Sequence, residues 1–267
     1  MSLLGTLTTS VSALDSFTTG LDTIGNDIAN INTNGYKSSS VSFADTFSGL
    51  GTQVSATNTN FSQGALNSTG IPTNLGISGN GFFIVKDPNS GNEFATRDGS
   101  FTLDPNGYLV NSMGYRVEGY TGGSAGTAPS TLGDVKLGTP PSGTTLQSVS
   151  FSTGGDLVET YSDGSQATTN QVLLQNYTDP SSLTSQGNNL YSNLTGAGPL
   201  STTLGASNAP AQGGLGTVQG GTIEQSNVDL TQEFSAMITM QRAFEANARL
   251  LTVSDTVLED VVNMKTH

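Results

Sequence analysis

Carboxylates are the plentiful groups with catalytic capacity in this chain. There are 21 Asp and Glu against 8 Lys and Arg, with one His and no Cys. Two pairs stand near each other in sequence, Asp156 with Glu159 and Asp98 with Asp104, as an acid and a base of a glycosidase would. With no Trp in the chain and few other catalytic residue types, they are read as solvated surface acids. His267 is terminal, so thiol chemistry, disulfides, histidine-containing metal clusters and an internal Ser-His-Asp arrangement are excluded by inventory. Asp104-Pro105-Asn106-Gly107 offers oxygens like half of a calcium loop, but it lacks a third acid and the distant Glu and reads as a hairpin turn. Ser78-Gly79-Asn80-Gly81 precedes a Phe-rich strand, where a phosphate-cradling loop would precede a helix carrying Lys. The expectation is a protein that is not an enzyme and uses no cofactor or metal.

The charge balance points the same way. A formal net charge of −13, with basic residues scattered singly, leaves no stripe to neutralise phosphates, so nucleic acid is not an expected partner. Only 11% of residues are charged, less than half of the roughly 25% usual in soluble proteins, so Gly, Ser, Thr and Asn must make most of the surface. No apolar run reaches the length of a membrane span, and no Lys or Arg precedes Lys37 to form the basic end of a secretory signal.

The elements that must position any site are set by two apolar stripes. From Ser226 to His267, Leu230, Phe234, Met237, Phe244, Ala248, Leu251, Leu258 and Val262 recur at alternating four and three, with Gln241 and Asp255 filling two seam positions. That spacing predicts a helix of roughly 35 residues, about 50 Å long, with a coiled-coil-like seam. A stripe of this length needs a long partner. Leu4, Leu7, Val11, Leu14, Phe17, Leu21, Ile24, Ile28 and Ile31 supply one near the other end, with Leu7, Leu14, Leu21 and Ile28 a heptad apart. Its many Thr and Ser and its Gly5, Gly20 and Gly25 make it a weak helix alone, so it should fold on contact. Asn30, Asn32, Asn34 and Gly35 mark its stop. Arg242 and Arg249, one heptad apart near Glu245, are read equally as a solvated face or as contacts to acids of a neighbouring subunit.

Between the helices, residues 36–74 read as an extended linker and 75–225 as a β-rich domain. Strands are expected at Phe82–Val85, Phe94–Thr96, Phe101–Leu103, Tyr108–Val110, Arg116–Tyr120, Val135–Leu137, Val149–Phe151, Leu157–Tyr161, Gln171–Tyr177 and around Val218 and Ile223, with a Gly- and Ser-rich loop near 121–130. The expected class is α+β: residues 1–35 and 226–267 as long paired terminal helices, flanking an all-β centre.

Both ends also carry motifs. NDIANINTNGYK, Asn26 to Lys37, and SNVDLTQEFSAMITMQRAFEANARLL, Ser226 to Leu251, together with GNGFFIV, TRDGSFTLDPNGYLVNSMGY and GNNLY, resemble the bacterial flagellar axial proteins of the hook and rod. The resemblance spans both ends and most of the β region, and it picks out Asn26, Asn30, Asn34, Gly35, Asn227 and Asp229 as motif positions. SFADTF, Ser42 to Phe47, looks more like the hook members; the chain length is nearer that of rod members. Asp27 stands where the family commonly has Asn. The resemblance implies a structural, non-enzymatic subunit that leaves the cell through the flagellar type III export apparatus without a cleavable signal. It would polymerise helically with itself and meet other flagellar axial proteins at the rod and hook junctions. Its place would be the extracellular hook, a hollow flexible joint that transmits torque, or, in the alternative, the distal rod in the periplasm. Self-assembly would run through Leu7, Leu14, Leu21, Ile28, Leu230, Phe234, Met237, Phe244, Leu251 and Leu258. The reading from a different class is a secreted adhesive or carbohydrate-binding β module.

Overall fold

The computed structural model describes residues 3–46, 51–123, 129–201 and 204–265. Phe47, residues 124–128 of the expected loop and His267 lie outside them, as do the side chains of Leu4 and Val262. The class is α+β. The chain forms two compact units, a helical one from Met1–Ile31, Lys37–Phe61 and Val228–His267 and a β one from Asn32–Tyr36 and Ser62–Asn227.

The helical unit contains α1 (Leu3–Ala29), a hairpin of β1 (Ser39–Asp45) and β2 (Thr52–Thr59), and α2 (Leu230–Lys265). The Thr-rich sequence of α1 holds as a helix partly because its hydroxyls bond back to its own turns. Thr9 donates to the Gly5 carbonyl at 2.8 Å, Thr18 to Leu14 at 2.9 Å and Thr23 to Thr19 at 2.9 Å, so these polar groups ask nothing of a neighbour.

The hairpin corrects the expectation of an extended linker over 36–74. β1 pairs antiparallel with β2, and the pair lies against α1: the Ser16 hydroxyl donates to the Thr52 carbonyl at 3.1 Å, and Phe17 meets Phe43 edge to face at 6.1 Å. Alternation along SSVSFAD, weak in hydrophobicity because one side faces solvent, hides the strand from an apolar count.

α1 and α2 run against each other within this unit, but along a different line from the expected seam. The buried face of α1 is Ser10, Ala13, Ser16, Gly20, Ile24 and Asp27, whereas Leu7, Leu14, Leu21 and Ile28 are only half-buried. Small residues win because they admit close neighbours: a Cβ on Gly20 would stand 2.8 Å from Met240 Cε. On α2, Met237, Phe244, Leu251 and Leu258 are half-buried, and so are Met240, Asn247 and Ser254. Leu230 and Phe234, in the first turns of α2, are exposed by 39% and 49%.

The β unit is built in chain order from β3 (Leu66–Ser68), β4 (Leu75–Ser78), β5 (Phe82–Lys86), β6 (Glu93–Thr96), β7 (Thr102–Leu103), β8 (Leu109–Val110), β9 (Arg116–Thr121) and β10 (Thr131–Asp134), then β11 (Leu146–Phe151), β12 (Asp156–Tyr161), β13 (Gln166–Val172), β14 (Leu174–Gln175), β15 (Thr184–Gly187), β16 (Leu190–Ser192), β17 (Thr217–Gly220) and β18 (Thr222–Glu224). One antiparallel sheet runs β11-β12-β13-β9-β5-β6-β16-β15; β10 and β8 also join β9, β7 pairs with β8, and β14 joins β5. β17 pairs with β4 and β18 with β3. The strand expected at Val135–Leu137 falls earlier, at β10, where Thr131 to Asp134 pair with β9. The single strand expected around Val218 and Ile223 is two, broken at Gly221, whose φ of +72° turns the chain. Leu75, Ile77, Phe83, Val85, Phe101, Leu109, Val117, Leu157, Val172, Leu174 and Val218 form the core, with Phe83 and Phe101 edge to face at 5.2 Å.

Candidate functional site

The four carboxylates of the two pairs accept structural hydrogen bonds. Asp156 and Glu159 are three apart on one strand and so point to opposite faces of β12. Glu159 is fully buried and accepts from Gly138 N–H at 2.6 Å, the Thr169 hydroxyl at 2.9 Å and the Tyr161 hydroxyl at 2.5 Å; burial and this carboxylate push the Tyr161 phenol up to about 12. Asp98 accepts from Ser100 N–H, and Asp104 from Asn106 and Tyr108 N–H, the bonds of tight turns. Gly79 and Gly81, with φ of +111° and +125°, are turn glycines. Among the described residues, no group of three or more His, Cys, Asp or Glu could hold a metal ion, and no helix is long and apolar enough to cross a membrane.

The motif residues, in contrast, sit at junctions. In the β unit, Asn34 and Gly35 lie on the turn that leads from β6 into Ser100. The Asn34 amide donates to the Ser100 hydroxyl at 3.0 Å, and the Asn189 amide donates to the Asn34 carbonyl at 2.7 Å. Gly35 has φ +68°, and a Cβ there would stand 2.5 Å from Asp98 N, so both conformation and space demand glycine. Its N–H donates to the Glu224 carbonyl at 2.7 Å. Asn227 donates to the Ser62 carbonyl at 3.1 Å and its hydroxyl at 3.0 Å, tying the segment after β18 to the one before β3.

Beneath Gly35 lies an ion pair that sequence inspection missed. Arg97 Nη1 stands 3.2 Å from Glu224 Oε2, and their side chains are 4% and 0% exposed. Glu224 Oε1 also accepts from Gly64 N–H at 2.8 Å, and the Arg97 guanidinium lies 5.1 Å over the Phe82 ring. Burial lowers the pKa of Arg97 and Glu224 works against it. Residues 127 apart in sequence give no local signal.

In the helical unit, Asp229 caps α2, accepting from Thr231 N–H at 2.8 Å. The exposed Asn26 offers its carbonyl to the Asn30 amide at 2.9 Å, closing α1. Asp27 is fully buried and accepts from Ser39 N–H at 2.9 Å, which ties the end of α1 to the hairpin. An acid therefore serves where an amide oxygen would also fit. Glu233 faces it: burial, then the Asp27 and Asp229 carboxylates, hold Glu233 above its ordinary value.

The outer surface of this unit is the chemically notable part. Phe234, Ile238, Leu250, Val253 and Val257 are 40–60% exposed along α2. An open apolar groove, lined by Phe17, Phe43, Ala236, Met240 and Ala243, lies between hairpin and helix. Arg242 is solvated, 3.5 Å from Glu245. Such a surface suits association.

Three family models match the chain: one described as flagella basal body rod protein over residues 7–37, one as flagellar hook protein FlgE/F/G D1 domain over 76–158, and one as flagellar basal body rod FlgEFG protein C-terminal over 219–264. The chain is 34% identical over 284 residues to the flagellar basal-body rod protein FlgG of Bacillus subtilis, covering 98% of this chain and 100% of that one. It is 28% identical to the FlgG of Borreliella burgdorferi, covering 97% and 98%. To the flagellar hook protein FlgE of Escherichia coli it is 44% identical over 123 residues, covering 45% of this chain and 30% of that one.

Proposed function

Because the chain belongs to the family of flagellar hook and rod axial proteins, whose members are structural subunits, we propose that it is the subunit of a hook-type flexible tube. It polymerises helically with itself through the terminal helices, the exposed apolar residues of α2 being covered by neighbouring copies. The observation that carries assembly is their exposure: Phe234, Ile238, Leu250, Val253 and Val257 stay uncovered on a helix that α1 and the hairpin bury on one side only. Covering them removes apolar surface from water at about 25 cal/mol per Å². Leu230 and Phe234, exposed within one chain, belong to this contact between copies. Leu7, Leu14, Leu21 and Ile28, half-buried on α1, complete the surface.

The hook assignment is supported by the higher local identity, 44% to hook proteins against 34% to the full-length rod relative, and by the SFADTF segment. A second reading, the distal rod, is favoured by the match over 98% of the chain. The flexural rigidity of tubes assembled from the pure full chain separates them, since a hook subunit gives curved, compliant tubes and straight stiff ones overturn the assignment. Partners under either reading are the other axial proteins at the rod and hook junctions and the type III export apparatus. Absence of cysteine suits threading through that apparatus, because no crosslink can form on the way.

A further inference from the structure

The β unit holds a cavity of about 240 Å³ that neither the core nor the motif junctions explain. Its walls are apolar, with Ile84, Leu132, Leu194 and Pro199 among them. Polar groups interrupt those walls at Glu93, Glu118, Gln175, Tyr177, Thr195 and Ser201. The Tyr177 hydroxyl belongs to a residue 4% exposed and has no hydrogen-bond partner among the described residues; burial holds its pKa well above the ordinary phenol range. Leaving such a group buried and unpaired is costly, so its retention calls for a partner. Glu118, also 4% exposed, pairs with Lys86 at 3.2 Å, and the same ammonium lies 3.8 Å from Glu93. Two carboxylates share one cation, and burial accordingly raises Glu118 above its ordinary value.

An anion entering here meets two carboxylates. A wholly apolar group leaves the phenol and the surplus charge unsatisfied. The walls suit a short aliphatic stem, and the polar groups suit a cation that donates hydrogen bonds. We propose that this cavity binds one alkylammonium group, the chemistry of a lysine side chain on a neighbouring protein or of a free small amine. The stem lies against Ile84, Leu132, Leu194 and Pro199, and the ammonium donates to Glu118, Glu93 and the Tyr177 oxygen.

The test is titration of the unassembled full chain with n-butylammonium chloride, followed by amide chemical shifts, with n-butanol and sodium chloride as controls. Saturable shifts confined to the surroundings of Ile84, Glu118, Leu132 and Tyr177 are expected, weakened about tenfold by Glu118→Gln and several-fold by Tyr177→Phe. Retained dispersion elsewhere shows that each variant folds. Equal shifts with n-butanol, binding unchanged in both variants, or shifts spread over the acidic surface overturn the proposal. The same titration on assembled protein identifies the source: loss of the site on assembly marks a lysine of the neighbouring copy, and persistence marks a free amine.

Discussion

Replacing Glu224 by Gln removes one charge and almost no volume, and Gln can still accept from Gly64 N–H, so the change isolates the ion pair. Arg97 would then be left charged, with its side chain 4% exposed and its Nε already without a hydrogen-bond partner. Breaking a buried pair on one side costs about 3–5 kcal/mol, because the remaining charge keeps its desolvation penalty and loses the Coulomb attraction that offset it. For a unit of this size the melting temperature falls about 2–4 °C per kcal/mol, so a drop of about 6–20 °C is expected. Arg97→Met should cost a similar amount by stranding the carboxylate. The double variant should be more stable than the sum of the singles implies, by about 1–3 kcal/mol. Urea unfolding followed by circular dichroism supplies all three numbers. Singles that cost less than about 1 kcal/mol, or strict additivity, would refute the claim that this pair locks β18 to the turn after β6.

Gly35→Ala forces a side chain into a left-handed conformation costing about 1–2 kcal/mol, and a clash with the Asp98 backbone adds to it; loss of amide protection at Gly35 and Ser100 checks this. Leu251→Asp should abolish assembly while the β unit keeps its unfolding transition, and normal tubes from this variant would show that the α2 seam is misassigned. Protonation of Glu233 is favoured in the folded state, since its value is raised; its stabilising effect is present below the ordinary carboxylate value and is lost as pH rises through the raised one. Thermal scans of the full chain between pH 4 and 7 should therefore show a pH dependence of helix melting that Glu233→Gln flattens. A Gln variant less stable at pH 7 would mean that the favourable first-turn charge outweighs the repulsion from Asp27 and Asp229.

Much of this fold was legible because its signals are local. The DPNG turn, the FFIV strand and the 3.5-residue spacing of α2 each lie within a short window. The β1–β2 hairpin was not, since its residues are mostly Ser, Thr and Asn and its partner is the small-residue face of α1. That face escaped an apolar count for the same reason: Ser10, Ser16 and Gly20 are buried for their size and not for their hydrophobicity. The motif positions could be named from resemblance, but their physical reason could not. Only the backbone shows that Gly35 sits at φ +68° against Asp98, or that Arg97 finds Glu224 127 residues away.

Electron microscopy of the purified full chain, concentrated under conditions that favour association, shows whether the chain assembles with itself. Hollow tubes are the expected result. A chain that stays monomeric at every concentration, with Phe234, Leu250 and Val253 still solvent-accessible to labelling, would contradict it.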